Sequence, residues 1–145
     1  IGAGRITSAF DIFKTLALGA DACYSARAMM MAVGCIQALE CHSNKCPTGV
    51  ATQDKKLMKG LDVPTKAERV ASFHQKTIYT FVEMMAAAGI QHSSKIKRRH
   101  VFKRTTVGIV KRYDQLFPNM PVGCCLNTDK IPEVFKKEML MLLDD

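Results

Sequence analysis

The sequence predicts an α/β fold in which short parallel strands alternate with helices, followed by a helical region. Two strand–turn–helix units stand one after the other near the start of the chain. Residues 9–18 carry apolar side chains at helical spacing behind the cap residues Thr7 and Ser8, and Gly19 is a natural helix end. Residues 20–25 form a short, mostly apolar strand that leads into the second turn. Parallel strands joined through a helix indicate a larger parallel sheet.

Each of the two turns carries an arginine, at Gly4-Arg5 and at Ala26-Arg27. Turns that open onto a helix bind anions because the first amides of a helix are unpaired and its dipole favours negative charge. We therefore expect Gly4, Arg5 and the uncapped amides of the first helix to form an anion site. In a TIM barrel, the loops after the last two strands commonly bind phosphate. The alternative is that both arginines are ordinary surface charges, and these residues by themselves do not decide.

Three cysteines, Cys35, Cys41 and Cys46, fall within twelve residues and are followed by Pro47. Such crowding of thiols predicts a metal or iron–sulfur site. The spacing is too wide for one face of a helix, so the segment must wrap as a loop around what it binds. A structural zinc site with His42 as the fourth ligand is an alternative, although neighbouring ligands suit one tetrahedral ion poorly. Three unrelated buried thiols are the other alternative.

The bulk composition is that of one ordinary domain or of part of a larger one. The chain has 145 residues, and a hydrophobic content of 48% is enough for a core. Because the sequence begins at Ile1 in the middle of a pattern, we expect further residues upstream. We find no signal peptide and no apolar run long enough to span a bilayer. Six cysteines without a disulfide-like framework favour a reducing, cytoplasmic location.

Basic residues outnumber acidic residues by 21 to 13, which gives a net charge of +8. The excess is concentrated in residues 95–104 and continues at Lys111 and Arg112. A basic nucleic-acid-binding module is one hypothesis, with Phe102 and Tyr113 as stacking rings. The sequence contains no RNA-binding motif, so a solvated face or a docking patch for an acidic partner is the favoured interpretation.

The rest of the chain is predicted to be mostly helical. A long helix with one apolar face should run from Pro64 to Gly89. Beyond it we expect a short helix capped at residues 93–94, another from residues 105–106 through Tyr113, and an amphipathic helix over residues 131–143. A loop marked by prolines and a glycine holds the paired thiols Cys124 and Cys125, which are expected to be two free cysteines.

The cysteine segment resembles the FMN-binding synthase domain of glutamate synthase and of its stand-alone relatives. The resemblance rests on Gly34-Cys-Ile-Gln-Ala and on Cys41-His-Ser-Asn-Lys-Cys-Pro-Thr-Gly-Val-Ala-Thr-Gln53. It runs without a gap from about Gly4 to about Gly89, and more loosely through Tyr113. It implies a fold made of the last two β/α units of a TIM barrel followed by a helical C-terminal extension. Residues 1–53 would end the FMN-binding barrel with its iron–sulfur loop, and residues 54–145 would be the helical region of the same domain.

The resemblance also implies two cofactors. Cys35, Cys41 and Cys46 would hold a 3Fe–4S cluster. The turns after the last two strands would bind the FMN phosphate through the residues that match them, Gly4, Arg5, Ala26 and Arg27. Many flavin barrels have a glycine where this chain has Ala26, but the amide of alanine can still donate a hydrogen bond.

The implied activity is reductive amination of 2-oxoglutarate to L-glutamate, with electrons from ferredoxin or from an NAD(P)H-dependent reductase partner. A barrel needs about 250 residues, so the groups that bind the substrate and the flavin ring would lie on the remaining strands. We therefore assign no catalytic residue to this chain and expect it to be inactive alone. A zinc-stapled helical interaction module and a nucleic-acid-binding module are the alternatives from other classes.

Overall fold

The computed structural model describes residues 1–141, which divide into two compact units at Lys97 and Arg98. The first unit contains three α-helices: α1 (Ala9–Ala17), α2 (Ala26–Val33) and α3 (Val63–Ala87). Short 3-10 turns at Leu57–Gly60 and Ser93–Lys95 flank α3. The helices predicted behind Ser8 and around Pro64 are therefore confirmed.

Two extended segments of the first unit meet in a parallel bridge between Gly2 and Cys23. The Gly2 amide donates to the Ala22 carbonyl at 2.7 Å, and the Tyr24 amide donates to the Gly2 carbonyl at 2.8 Å. The pairing has the predicted parallel direction, but the strand expected over residues 20–25 is reduced to this bridge. The rest of the barrel stays a prediction.

Gly2 brings its segment into direct contact with α1. A Cβ atom at this position would overlap the Thr15 methyl group and lie 3.2 Å from the Ala20 Cβ. Only a residue without a side chain allows so close an approach of backbone to helix. The bridge and α1 thus hold each other in place.

A capping box fixes the start of α1. The Ser8 hydroxyl accepts from the Asp11 amide at 3.2 Å, and the Asp11 carboxylate accepts from the Ser8 amide at 3.1 Å. Asp11 also pairs with Lys14 at 2.9 Å. The pKa of Asp11 is therefore held well below its usual value, chiefly by Lys14 and then by the hydrogen bonds from Ser8 and Thr7.

The core of the first unit lies where α1 and α2 contact α3. Phe13 of α1 meets Phe81 of α3 edge to face, with ring centroids 6.3 Å apart. The buried apolar residues of this unit are Ile6, Ala9, Phe13, Ala17, Ala28, Cys46, Phe81, Met85, Ile90 and Ile96. Although α3 has 25 residues, no helix within residues 1–141 combines the length and apolar character needed to cross a membrane.

The second unit contains an antiparallel hairpin of β1 (Phe102–Thr106) and β2 (Ile109–Arg112). The helix expected from residues 105–106 through Tyr113 is therefore wrong. The segment is rich in β-branched residues, which favour strands, and Gly108 adopts a left-handed φ of +80° in the turn. In the register Phe102 faces Arg112 and Lys103 faces Lys111, and every hairpin residue is exposed.

The remaining helices of this unit are α4 (Tyr113–Leu116) and α5 (Glu133–Met141). Among the side chains that the structure describes here, those of Val101, Tyr113, Cys124 and Ile131 are buried. The helix predicted over residues 131–143 is confirmed as far as Met141, and its last two positions lie outside the described residues.

Replacing Asp11 by alanine should remove the capping box and lower the free energy of unfolding by about 1 kcal/mol at pH 7. Because the pKa of Asp11 is lowered in the folded state, its stabilisation is complete above the unfolded value of about 4 and is lost as the pH falls below it. The gap between wild type and Asp11→Ala should therefore close toward acidic pH in urea denaturation. Asp21→Ala, at an exposed carboxylate outside the cap, is the control; an equal loss in both variants would contradict the role of the box.

Candidate functional site

The two predicted phosphate loops lie next to each other. One loop follows Gly2 and the other follows Cys23 along the chain. Because these two residues pair in a parallel direction, both loops begin at the same end of the paired segments. The Ser25 hydroxyl donates to the Ile6 carbonyl at 2.7 Å and ties the start of α2 to the first loop. This arrangement is the one that the ends of neighbouring parallel strands produce.

The first loop has an unusual backbone. Gly4 adopts a φ of +97°, and Arg5 adopts a left-handed φ of +54°, which is uncommon for a residue with a side chain. No atom lies within 4 Å of where a Gly4 Cβ would stand, so the loop faces open space. Both residues are exposed and accessible to a ligand.

The start of α1 does not offer the uncapped amides that we expected. The amides of Thr7 and Ser8 donate to the Asp11 carboxylate at 3.2 and 3.1 Å. An anion at this helix end would meet a carboxylate that already accepts from the amides of Thr7 and Ser8. The anion site expected at this helix start stays a prediction, and the anion would lie beside the Asp11 carboxylate, which completes the capping box at the third helical position.

The start of α2 is different. Its cap residue, Ser25, makes no hydrogen bond to the helix amides, because its hydroxyl is used on Ile6. The first helical residues, Ala26 and Arg27, are exposed. Unpaired amides, the positive end of the helix dipole and a nearby guanidinium suit a phosphate group. The anion-binding features of the two loops therefore converge on α2.

Cys46 is buried in a tight turn of backbone amides. Its sulfur lies 3.4 Å from the Thr48 hydroxyl. This hydrogen bond, followed by those from the amides of Ala51, Thr48 and Val50, lowers the pKa of Cys46 to about 7. The turn thus stabilises a negative sulfur, the form that binds metals.

Asn44 closes this turn from the other side. Its backbone has a left-handed φ of +62°, and its side-chain oxygen accepts from the Gln53 amide at 2.6 Å and from the Thr52 hydroxyl at 3.0 Å. Gly49 lies at the tip with a φ of +77°, where a Cβ would overlap the Leu57 carbonyl oxygen. We call residues 44–53 the thiol turn.

Cys35 and Cys41 line one surface cavity of about 560 Å³, together with Arg27, Gln37 and Leu39. Cys35 is half-buried, and its sulfur accepts from the Gln37 amide at 3.4 Å, whereas Cys41 is exposed. The thioethers of Met30 and Met31 complete the lining. Arg27 therefore belongs to one of the two predicted phosphate loops and also borders two of the three cysteines of the predicted cluster site.

Cys46 does not line this cavity. Within residues 1–141, no three His, Cys, Asp or Glu side chains stand in an arrangement that could hold a metal ion. All six cysteines are free thiols. The structure thus brings Cys35 and Cys41 to one surface and places Cys46 in the thiol turn, and the assignment of all three as cluster ligands stays a prediction, as does the zinc alternative with His42.

Two residues of the site have roles that the sequence did not decide. Ser25 joins the loops through its hydroxyl, although a serine directly before a helix normally caps it. From the sequence, Asn44 suits either hydrogen bonding to a cluster sulfur or turning the chain, and the structure shows it closing the turn. Asparagine tolerates a left-handed backbone, which is the signal that favours this interpretation.

Residues 1–91 match the family model described as the conserved region in glutamate synthase. This match covers both phosphate loops, all three predicted cluster cysteines and α3. The chain belongs to the glutamate synthase family. It is therefore part of an oxidoreductase family.

Several glutamate synthase relatives are similar over most of this chain. The glutamate synthase large subunit-like protein YerD of Bacillus subtilis is 42% identical over 113 residues, which are 78% of this chain and 22% of that protein. The archaeal glutamate synthase [NADPH] of Methanocaldococcus jannaschii is 38% identical over 97 residues, 67% of this chain and 19% of its own. The glutamate synthase [NADH] of Saccharomyces cerevisiae is 33% identical over 106 residues, 66% of this chain and 5% of its own.

The chain thus spans about a fifth of the bacterial and archaeal relatives and a twentieth of the yeast enzyme. No solved structure matches it. The relatives establish the family of this chain, and most of the length of a whole glutamate synthase lies outside the matched region.

Gly49→Ala should destabilise the protein by about 1–3 kcal/mol more than Gly89→Ala, measured by urea denaturation. Both glycines have left-handed φ angles, so alanine costs about 1 kcal/mol at either position. Only Gly49 adds an overlap with backbone, since no atom lies within 4 Å of a Gly89 Cβ. Alkylation of Cys46 should also accelerate in Gly49→Ala alone. Equal losses in the two variants would show that the thiol turn is not tightly packed.

Proposed function

We propose that the chain is the C-terminal part of an FMN- and iron–sulfur-dependent oxidoreductase of the glutamate synthase type. Such an enzyme aminates 2-oxoglutarate reductively to L-glutamate with electrons from ferredoxin or from an NAD(P)H-dependent partner. The observation that carries the proposal is the position of Arg27, which lies in the second of the two predicted phosphate loops and also lines the cavity of Cys35 and Cys41. A phosphate site and a thiol site therefore adjoin each other on one helix start.

The phosphate of FMN would bind at the two loops. Arg5 and Arg27 would supply charge, while the backbone around Gly4 and the amides of Ala26 and Arg27 at the open start of α2 would supply donors. The Ser25–Ile6 hydrogen bond at 2.7 Å keeps the two loops together. Because α1 is capped by its own carboxylate, the phosphate would be directed toward α2.

The 3Fe–4S cluster would be held by Cys35, Cys41 and Cys46. Three free thiols on one loop provide the right donor chemistry, and the amides of the thiol turn stabilise charge on Cys46. When both groups are bound, the cluster supplies single electrons and the flavin supplies hydride transfer. The residues of this chain would bind and orient the two groups.

The remaining chemistry is assigned to other parts of the protein. We place the contacts to 2-oxoglutarate and to the flavin ring on the rest of the barrel, and we assign no catalytic residue here. The division into a barrel end (residues 1–53) and a helical region (residues 54–145), and a cytoplasmic location, belong to the same proposal.

Anaerobically purified protein should contain about three irons with matching acid-labile sulfide per chain, the content of a cluster held by three thiolates. Cys41→Ser should lose this iron and sulfide and retain FMN, because Cys41 is exposed and lies outside the phosphate loops. Cys125→Ser, at another exposed thiol, is the matched control and should keep the cluster. Zinc without sulfide would instead support the alternative of a zinc-stapled helical interaction module. An intact cluster in Cys41→Ser would overturn the ligand assignment.

Arg27→Ala should weaken FMN binding by about 10- to 100-fold, the loss expected when a hydrogen-bonded charge is removed from a phosphate. Arg5→Ala should have a similar effect. Fluorescence titration of the deflavinated protein with FMN measures both. Arg69→Ala, at an exposed arginine of α3, should leave the affinity unchanged, and equal affinities in all variants would exclude the two loops as the phosphate site.

A further inference from the structure

Two neighbouring cysteines of the second unit lie outside the proposed cofactor site. Cys124 and Cys125 begin a 3-10 turn, Cys124–Leu126, and their sulfur atoms are 4.0 Å apart. Cys124 is only 1% exposed, whereas Cys125 is exposed. The pair therefore presents one accessible thiol with a second, sheltered thiol directly beside it.

Hydrogen bonds hold the backbone on both sides of this pair. The Cys124 amide donates to the Pro121 carbonyl at 3.1 Å, and the Asn127 amide donates to the Cys124 carbonyl at 3.2 Å. Gly123 directly precedes the turn and has a left-handed φ of +74°. The backbone positions of the two cysteines are therefore set by a hydrogen-bonded turn.

The spacing does not suit a disulfide. A disulfide needs sulfurs about 2 Å apart and usually joins Cα atoms at least about 4.4 Å apart. Neighbouring residues have Cα atoms about 3.8 Å apart, so oxidation would have to distort the turn.

The same spacing suits a bridging atom. Two sulfurs bonded at about 2.3 Å to one centre, with bond angles of about 100–110°, lie about 3.5–3.8 Å from each other, so the 4.0 Å separation in this turn has to close by at most about 0.5 Å. A metal ion usually needs further ligands, and residues 1–141 contain no group of three His, Cys, Asp or Glu side chains placed to hold one. The arrangement therefore fits a thiophilic centre that requires only two sulfurs.

We propose that Cys124 and Cys125 form a chelating site for monosubstituted trivalent arsenicals. Such a centre carries one carbon substituent and completes its three bonds with two sulfurs. The exposed Cys125 binds first, and Cys124 closes the ring. For an arsine oxide, two arsenic–sulfur bonds form, the arsenic–oxygen bonds break, and the two thiol protons leave with the oxygen as one water. Arsenic stays trivalent throughout.

The environment of Cys124 agrees with this order of events. Burial and then the neighbouring Cys125 raise the pKa of the Cys124 thiol, so this thiol keeps its proton until the ligand arrives. Because the turn already holds the second cysteine beside the first, little conformational entropy is lost when the chelate ring closes.

Phenylarsine oxide added to the reduced, cofactor-loaded protein tests the proposal. After a wash with excess 2-mercaptoethanol, tryptic mapping should find one phenylarsenic adduct on residues 113–130, a peptide that contains both thiols and no other cysteine. The adduct should be removed by 2,3-dimercaptopropanol, because only a dithiol competes with a chelate. Absence of the adduct, or its loss in the monothiol wash, would overturn the proposal.

Variants of the two thiols complete the test. Cys125→Ser, at the exposed position, should reduce the adduct that survives the monothiol wash at least tenfold. Cys124→Ser should do the same, and its circular dichroism spectrum shows whether the buried position tolerates serine. Because the wild-type wash experiment and Cys125→Ser do not depend on that tolerance, retention of the adduct in Cys125→Ser is sufficient to reject chelation.

Discussion

The parallel contact between Gly2 and Cys23 is the constraint on which the first unit depends. Two backbone hydrogen bonds align the segments, and the missing side chain of Gly2 lets them lie directly on α1. This alignment brings the two arginine-bearing loops to one edge, where Ser25 joins them through Ile6. The proposed cofactor site therefore rests on a short piece of backbone pairing, to which side chains add the chemistry.

The two helix starts beside this contact have different roles. The start of α1 already carries a carboxylate, Asp11, whose pKa is lowered by Lys14 and then by the hydrogen bonds from Ser8 and Thr7. The start of α2 has no such internal anion, because Ser25 directs its hydroxyl away from the helix. The start of α1 has a carboxylate from its own sequence beside it, whereas the start of α2 has no side-chain cap.

The helices were predictable because local signals agreed: Ser8 and Pro64 mark helix starts, and apolar residues recur at helical spacing behind them. The hairpin was not predicted because its turn signal is a single glycine, Gly108, between β-branched residues. The strongly basic sequence around it carries no strand pattern. The two arginine-bearing loops and the cysteine loop were singled out from the sequence, and their roles as cofactor sites stay predictions. Their detailed geometry was not predictable, because the Asp11 cap and the Asn44 turn depend on which of several local hydrogen bonds forms, and sequence spacing permits more than one.

The facing lysines of the hairpin affect how copies of the protein meet in solution. A two-stranded ribbon leaves unpaired amides and carbonyls along its edges, and the exposed side chains of Ile109 and Val110 would favour stacking onto a second ribbon. Lys103 and Lys111 lie directly opposite each other, so an approaching ribbon brings further positive charge against an already repelling pair. Ions in the buffer screen such repulsion beyond about 10 Å at 0.1 M. Higher ionic strength should therefore weaken the repulsion that keeps two ribbons apart.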